Sequence, residues 1–576
     1  MSEDFIERPR KNEKDGAIQY VKQLLEQAFQ EHRNEDVNKL AEVIRLLQTK
    51  KYGLVYEEHV ELVEEKMKNN IPIFFEDEEK KIVADQEMEN YNFLLEGDNL
   101  HSMHLLEKTH VGKVDIIYID PPYNTGAKSA DSNGSFIYND SIVDNSDRYR
   151  HSKWLSFMNS RLQIARKLLS SKGVIFISIG KEEVAQLKLL CDEIFGEENC
   201  LGQIVRRSKT TSFRGNYFAL RVDYILCYSS GREAPDKFMD LVDPKKYTKI
   251  EKHGSRKGEM YKDDTAFYLS TLETRPNQRY YIECPDGELV IPPGKSFPIN
   301  CVDGSKALPE PNDGVWRWEL SQYLSKKDFL VFKKTKRSPL LTSSGEKAKW
   351  NIYTKSYYLD KVQNGNIPTE LFLEQINRKG TAELKKLDIK FTFPKPSSLI
   401  KYLIEITNKD KNILILDFFA GSGTTGHAVA QLNQEDGGNR KYILCTNNEN
   451  NICEEVTYKR LKNIQKNFPH NLKYFKTDFV DKNEFPNVQL ENELLNYITP
   501  LVELEFGIDI SNPSVQIILT EEQLEKLIKE GKLEKDSTLF MHPTVLLNNK
   551  EAELLSKLNV TQQIIPDYYF GKELWS

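Results

Sequence analysis

Cysteine is scarce in this sequence of 576 residues: Cys191, Cys200, Cys227, Cys284, Cys301, Cys445 and Cys453 make seven, an odd number, and no two form a C-x-x-C pair. That argues against both a zinc site and a disulfide framework, and no metal is expected. Long apolar runs are missing as well. None approaches the roughly 18 residues of a membrane span, so the expectation is a soluble protein without membrane contact. The stretch from Met1 to Asp15 alternates acidic and basic residues and holds no apolar h-region, unlike a secretory signal, which gives a cytoplasmic address. An excess of positive charge is also lacking, the formal net charge being -7. This leaves nucleic-acid binding open, because a phosphate backbone senses charge over a Debye length of about 8 Å and a local basic cleft suffices. No internal repeat or low-complexity tract interrupts the chain.

What is there has a globular composition, 39% hydrophobic and 29% charged, and enough length for one large unit with two or three additions. Residues 1–85 read as polar helices, Ala17–Glu31 and then Asp36–Leu47, where Leu40, Val43, Ile44 and Leu47 recur at helical spacing. An accessory helical module and a solvated or dimer-packing helix pair both fit. From residue 86 to 232 short apolar strands alternate with helical stretches, the pattern of a parallel α/β sheet. Strands are expected at Phe93–Leu95, Val114–Ile119 and Gly173–Ile179 with a helix at Trp154–Leu169, and Cys191–Val205 and Tyr224–Tyr228 continue the sheet. Residues 233–384 lose that rhythm and are rich in Pro, Gly, Lys and aromatics, an insertion with its own fold. The alternation returns over 385–480, with helices at Ser398–Ile406 and Thr424–Leu432 and strands at Asn412–Leu416 and Tyr442–Cys445. One sheet is thus assembled from two separated segments. Residues 481–576 form a last α/β part, in which Ile517-Ile518-Leu519 precedes a helix that starts near Thr520 and ends before Gly531.

Asp120-Pro121-Pro122-Tyr123 follows the strand Val114–Ile119 directly, at the carboxyl end where α/β sheets keep their ligand crevice. These residue types suit methyl transfer to an exocyclic amine of a nucleobase, a poor nucleophile whose lone pair is delocalised into the ring. Asp120 accepts one N–H and the Pro121 carbonyl the other, while two consecutive prolines with φ fixed near about −65° keep that carbonyl aimed. Tyr123 offers a flat face on which a base swung out of the duplex stacks, a contact worth roughly 1–3 kcal/mol. Catalysis then rests on positioning and on electrostatic stabilisation of charge developing on nitrogen. The competing reading is a turn in which Asp-Pro-Pro merely ends the strand.

A second loop, Asp417-Phe418-Phe419-Ala420-Gly421-Ser422-Gly423-Thr424-Thr425-Gly426, also follows an apolar strand and opens a helix. Gly421, Gly423 and Gly426 spell G-x-G-x-x-G, which fits a dinucleotide site with Glu449 as the ribose acid. Two features favour S-adenosylmethionine instead. Asp417 stands at the strand end where a carboxylate can meet the donor's ammonium or polar groups nearby, and the Phe419-x-Gly421-x-Gly423 turn lets the backbone approach a ligand closely. Thr424 and Thr425 extend that contact. Upstream, Lys395 and Ser397 lie in Phe393-Pro394-Lys395-Pro396-Ser397-Ser398, either reaching toward the donor's carboxylate or forming a purely structural strap. Asp98 and Asn99 follow the strand Phe93–Leu95 into the same crevice, where Asp98 bonds the cofactor's adenine amine or caps the helix from Leu100. Asp120 borders the donor from the other side.

The order of the pieces, with the tetrapeptide ahead of a long insertion and the glycine loop after it, resembles the beta class of amino-methyltransferases. More closely, it is similar to the modification subunits of type III restriction-modification systems. The matching stretches are Glu96–Leu100, Ile117–Gly126, Trp154–Met158, Gly173–Ile179, Asp417–Thr425 and Tyr442–Glu449. The resemblance implies a circularly permuted, Rossmann-like α/β sheet that uses S-adenosylmethionine, with the catalytic part in 86–232 and the cofactor part in 385–480. It further implies a target-recognition domain in the insertion, a homodimer, base flipping, and methylation of adenine N6 in double-stranded DNA. Asp rather than Ser before Pro-Pro-Tyr is similar to the adenine members rather than the cytosine-N4 ones. One departure is the replacement of the family's His near Tyr224–Tyr228 by Arg221-Val222-Asp223.

Arg206, Arg207, Lys209 and Arg214, interleaved with Phe213, Tyr217 and Phe218, suit a phosphate backbone and the gap left by a flipped base. A solvated charged face is the alternative. Lys333 and Lys334, followed by Lys336 and Arg337, invite the same pair of readings. Three functions remain separable: an active adenine methyltransferase, a recognition subunit that mainly guides a partner nuclease, and a cytosine-N4 or RNA methyltransferase. No helicase or nuclease motif occurs in the sequence, so restriction needs a second, helicase-nuclease subunit.

Overall fold

Runs of Ile, Val, Leu and aromatic residues make the strands of a ten-stranded sheet: β1 (Asn70–Glu76), β2 (Tyr91–Glu96), β3 (Val114–Ile119), β4 (Leu169–Ile179), β5 (Cys200–Arg207), β6 (Val222–Ser229), β7 (Leu371–Phe372), β8 (Leu414–Asp417), β9 (Lys441–Thr446) and β10 (Asn471–Asp481). Their spatial order is β1-β10-β2-β9-β8-β3-β4-β6-β5-β7. The centre is parallel, while β1 and β6 run antiparallel to their neighbours. In β2, β3, β8 and β9 nearly every side chain is buried, as central strands require when helices cover both faces. The computed structural model describes residues 14–30, 36, 39–40, 43–44, 54, 56–84, 90–126, 136–139, 141–211, 217–240, 242–270, 275–407, 410–481 and 491–565.

The register explains where a site can form. β3 and β8 are hydrogen-bonded neighbours, with Ile116 opposite Ile415 and Ile117 opposite Leu416. β9 lies on the far side of β8, with Leu444 opposite Asp417, and β2 follows with Glu96 opposite Thr446. The loops after β2, β3, β8 and β9 therefore leave one edge together, although they lie hundreds of residues apart in sequence. That edge is the carboxyl edge, where parallel sheets hold their ligands.

Two units make up the chain: Met1–Asp236, Glu370–Ile404 and Asp410–Ser576 form the first, and Lys237–Thr369 with Glu405–Lys409 the second. The second, described by itself, has a four-stranded antiparallel sheet in the order Leu330–Lys334, Trp350–Tyr357, Met260–Ala266, Lys249–Ile250. Trp316 stacks on Phe267 in its core and donates through its indole to the Tyr280 carbonyl at 2.7 Å.

Several expectations need correction. Residues 70–76 are not helical: Ile71, Ile73 and Phe74 are buried and the segment pairs with β10 at the sheet edge. Cys191 lies in the helix Val184–Phe195, where Leu187, Leu190, Cys191 and Ile194 share one buried face, and the strand begins only at Cys200. Residues 370–384 fall in the first unit, because β7 pairs with β5 and the helix Asn377–Lys386 follows it. A helix spans Lys14–Gln30, while most of Asp36–Leu47 lies outside the described residues. At the C-terminal end three parallel strands, Val515–Ile518, Thr538–Met541 and Thr561–Ile564, form a small sheet, and Thr520 caps the helix Glu521–Lys529 as the sequence suggests. Among the described residues no helix is long and apolar enough to cross a membrane.

Candidate active site

Asp120 to Tyr123 leave β3 at the carboxyl edge, and their neighbours hold them from three sides. The Trp154 indole, from the helix Arg150–Leu168, donates to the Pro122 carbonyl at 2.8 Å. The Lys395 amine donates to Asp120 Oδ2 at 2.5 Å and to Tyr123 Oη at 2.9 Å. Asp120 Oδ1 is buried without a hydrogen-bond partner among the described residues. An acceptor in that state costs about 1–3 kcal/mol unless something donates to it, so a donor group is what the position calls for. Gly180, at the end of β4, lies against the Tyr123 ring; a Cβ there would come within 2.8 Å of Tyr123 Cδ2.

Behind the tetrapeptide, Asn124 adopts φ +53° and donates to Glu183 Oε1 at 2.5 Å. His151 Nδ1 meets the same oxygen at 2.5 Å. Glu183 is fully buried, and burial pushes its carboxyl up to about 8. Neither Asn124, Glu183 nor His151 carries a sequence signal for this contact, since the three sit on separate elements.

The glycine loop turns through Gly421 and Gly423 at φ +49° and +69°, the left-handed region that glycine enters without strain. Asp417 is spent on the loop itself: Oδ1 accepts from the Phe419 N–H at 3.1 Å and Oδ2 from Thr425 Oγ1 at 2.5 Å. Burial pushes its carboxyl up to about 7. Of the two expected partners, the structure shows the nearby polar groups, through which Asp417 braces the turn. Ser397 gives both its N–H and its hydroxyl to Glu383. Thr424 accepts from the buried Arg460 at 2.9 Å, which also reaches Glu383 and Ser422.

A cavity of about 430 Å³ opens at the same edge, within the roughly 300–1,000 Å³ of small-molecule sites. Asp98, Asn99, Pro122, Phe418, Phe419 and Glu449 line it, joining the ends of β2, β3, β8 and β9. Asp98 caps the helix from Asn99 through the Leu100 N–H at 2.8 Å, and its side chain is 44% exposed at the cavity. Asn99 is held by the Phe418 carbonyl and by Arg161 Nε at 2.6 Å. Glu61, missed by the sequence reading, closes the wall by pairing with Arg161 at 2.5 and 3.0 Å. His101 Nε2 is buried and unpartnered among the described residues on another wall of the cavity. Flat apolar faces for an adenine, acceptors for ribose hydroxyls and an ammonium, and this orphaned nitrogen fit a nucleoside-type sulfonium donor.

A family model described as DNA methylase matches residues 114–458, which span both the tetrapeptide and the glycine loop. The chain belongs to that family. A second model, D12 class N6 adenine-specific DNA methyltransferase, matches residues 2–180. The chain is 33% identical over 414 residues to the Type II methyltransferase M.KpnI of Klebsiella pneumoniae, covering 67% of this chain and 90% of that protein. It is 30% identical over 427 residues to the Type III restriction-modification enzyme StyLTI Mod subunit of Salmonella typhimurium, covering 69% of this chain. With the EcoP15I Mod subunit of Escherichia coli it shares 31% identity over 412 residues, 62% of this chain. The matches span 59% of the length of each of these two Mod subunits.

The basic residues of the chain divide once burial is known. Arg206 is fully buried: Nε and Nη2 pair with Asp223, and further bonds go to the Gln375 carbonyl and Asn377. Four of its five N–H groups are taken and the side chain is sealed from the surface, so the expectation of a phosphate contact is corrected to a buried ion pair. Arg207 turns its Nε and Nη2 to the Leu373 carbonyl. Lys209 is exposed, with its Nζ 5.5 Å from the centre of the Phe393 ring. Tyr217 and Phe218 are 92% and 85% exposed, whereas Phe213 and Arg214 lie outside the described residues. In the second unit Lys333 is tied to Asp263, and Lys334 is exposed over the Trp350 ring.

Proposed function

We propose that this DNA methylase transfers a methyl group from S-adenosylmethionine to N6 of adenine in double-stranded DNA. One observation carries the reading: Asp120 stands beside the donor loop with one carboxylate oxygen buried and unpartnered. When bound, S-adenosylmethionine supplies a methyl group on a sulfonium, whose departure leaves a neutral thioether. The target amine gives one N–H to Asp120 Oδ1 and the other to the Pro121 carbonyl, which aims its lone pair. No hydrogen bond to the Pro121 carbonyl occurs among the described residues, whereas the Pro122 carbonyl is taken by Trp154. Tyr123 stacks on the base after it leaves the duplex. As the N–CH3 bond forms and the S–CH3 bond breaks, the carboxylate charge stabilises the positive charge developing on nitrogen, and the N–H proton that faces Asp120 is then released to solvent. Asp98, Asn99, Phe419 and Glu449 hold the donor.

DNA follows the exposed Lys209, Tyr217 and Phe218, and the second unit supplies target recognition through a surface that includes Lys334. By analogy with the Mod subunits of type III restriction-modification enzymes, the chain also serves a restriction subunit, and it does so as a homodimer, a reading that rests on the family resemblance alone. The test incubates the protein with labelled donor and unmethylated DNA, then digests the DNA to nucleosides. Label in N6-methyladenine is expected; label only in N4-methylcytosine, or none, would sink the adenine assignment. Sedimentation separates the 66.9 kDa monomer from the dimer.

A further inference from the structure

The sequence places Lys395 in a strap that leads toward the donor, yet its amine lies on the acceptor half of the site. Nζ donates to Asp120 Oδ2 and Tyr123 Oη, sits 5.1 Å from the centre of the Tyr123 ring, and belongs to a side chain only 7% exposed. Lys395 is not among the residues lining the donor cavity.

Its backbone is fixed as firmly as its amine. Prolines flank it on both sides, and its carbonyl accepts from Thr424 Oγ1 at 3.2 Å. Gly380 packs so closely that a Cβ there would come within 2.7 Å of the Pro394 and Lys395 carbonyl oxygens. The next helix is tied to Glu383 through Ser397, and Arg460 binds the same carboxylate at 2.9 Å. A long, flexible side chain anchored at both ends behaves as a strut. One oxygen of Asp120 is thereby occupied, the other is left buried and open, and the Tyr123 hydroxyl is pinned by the same nitrogen.

We propose that Lys395 is a positioning residue of the acceptor site. It locks the Asp120 carboxylate and the Tyr123 ring so that Oδ1 alone faces the target amine, and it does not hold the methyl donor. The proposal rests on the methyltransferase reading above. It also adds a selection: with Oδ1 the one open oxygen of the carboxylate, beside the Pro121 carbonyl, the site takes a group that donates N–H bonds and rejects a carbonyl or bare ring nitrogen in its place.

The test uses the full chain as wild type, Lys395→Met and Lys395→Arg. Three readouts apply: calorimetric titration with S-adenosylhomocysteine, methyl transfer from tritiated donor to an unmethylated plasmid library, and a crystal structure of the wild type with S-adenosylhomocysteine. Lys395→Met is expected to bind S-adenosylhomocysteine within about twofold of wild type while its kcat falls about 100-fold, the scale of a small misplacement of reacting groups. The KM for the donor stays within about twofold, and Lys395→Arg, which keeps two donors, recovers at least about a tenth of the wild-type rate. In the liganded crystal Nζ remains on Asp120 and Tyr123. A loss of about tenfold or more in S-adenosylhomocysteine affinity with kcat retained, or Nζ turned onto the ligand's carboxylate, would overturn the proposal. Should Lys395→Met fail to fold, Lys395→Arg and the liganded wild type decide. A wild type that transfers no methyl group defeats the methyltransferase reading instead, and calorimetry with the liganded structure still assigns Lys395 to one side.

Discussion

The Trp154 indole and the Pro122 carbonyl are joined at 2.8 Å, a bond that ties a helix in the core to the second proline of the Asp120–Tyr123 loop. Trp154 is fully buried, so Trp154→Phe keeps the bulk and removes the donor. The orphaned carbonyl costs about 1–3 kcal/mol. Transfer is expected to fall about tenfold or more while donor affinity barely moves, because the loop that shifts holds the acceptor. Equal losses in both, measured by steady-state kinetics and calorimetry, would contradict this division.

Glu61 faces Arg161 inside the cavity wall, the two side chains being 9% and 1% exposed. Burial raises the Glu61 carboxyl even against the pull of Arg161. Glu61→Ala leaves the guanidinium buried with a partner missing, a change that costs roughly 3–5 kcal/mol. Since Arg161 also orients Asn99 and reaches Asp98, donor affinity should drop with it. A variant with a lowered melting temperature but unchanged donor binding would show that the wall does not need this pair.

Glu183 supplies a pH dependence whose sign can be worked out. Its folded carboxyl titrates near 8, above its ordinary value of 4.5, so the folded state binds the extra proton between those two values. Stability from this group is complete at low pH and is lost as pH rises through that window. Glu183→Gln should flatten the decline in melting temperature between about pH 5 and pH 8. An unchanged slope would exclude Glu183 as its source.

Gly180→Ala puts a methyl group within 2.8 Å of the Tyr123 ring, which is already held by Lys395. The ring must tilt, so base stacking worth roughly 1–3 kcal/mol weakens. The expected result is reduced transfer, by about tenfold, with little change in melting temperature. Full activity in the alanine variant would show that the ring tolerates displacement.

Arg206 and Lys209 are close in sequence and should behave oppositely. Arg206→Ala strands Asp223 in the interior and is expected to destabilise by about 3–5 kcal/mol, leaving the salt dependence of DNA binding unchanged. Lys209→Ala should leave stability alone, weaken DNA binding, and lower the slope of log K against log salt by about 1. Melting curves and salt titrations on a common duplex separate the two.

The parts of the site that are contiguous in the chain are legible in the sequence. Asp120–Tyr123 and Asp417–Thr425 each follow an apolar strand, and strand ends place ligands whatever lies between. Glu61, Arg161 and Glu183 are not legible, because their contacts depend on which helices pack side by side. Arg206 shows a subtler failure. Charge reads as exposed when burial is unknown, yet Arg206 sits opposite Asp223 in the register of β5 and β6, so the pairing is a property of the hairpin. The strand at residues 70–76 is hidden for a related reason: its partner, β10, comes some four hundred residues later.

The pairing of β3 with β8 also sets a schedule for biosynthesis. Ile116 and its partner Ile415 are separated by the whole insertion. At about 5–20 residues per second, the ribosome takes roughly 15–60 s to move from one to the other. Throughout that interval the nascent chain carries the Asp120–Tyr123 loop without the strand that brings the Asp417–Thr425 loop to it. Truncated products of translation that stop short of β8 therefore lack half of the site. The order of the segments thus confines assembly of the complete site to late in synthesis.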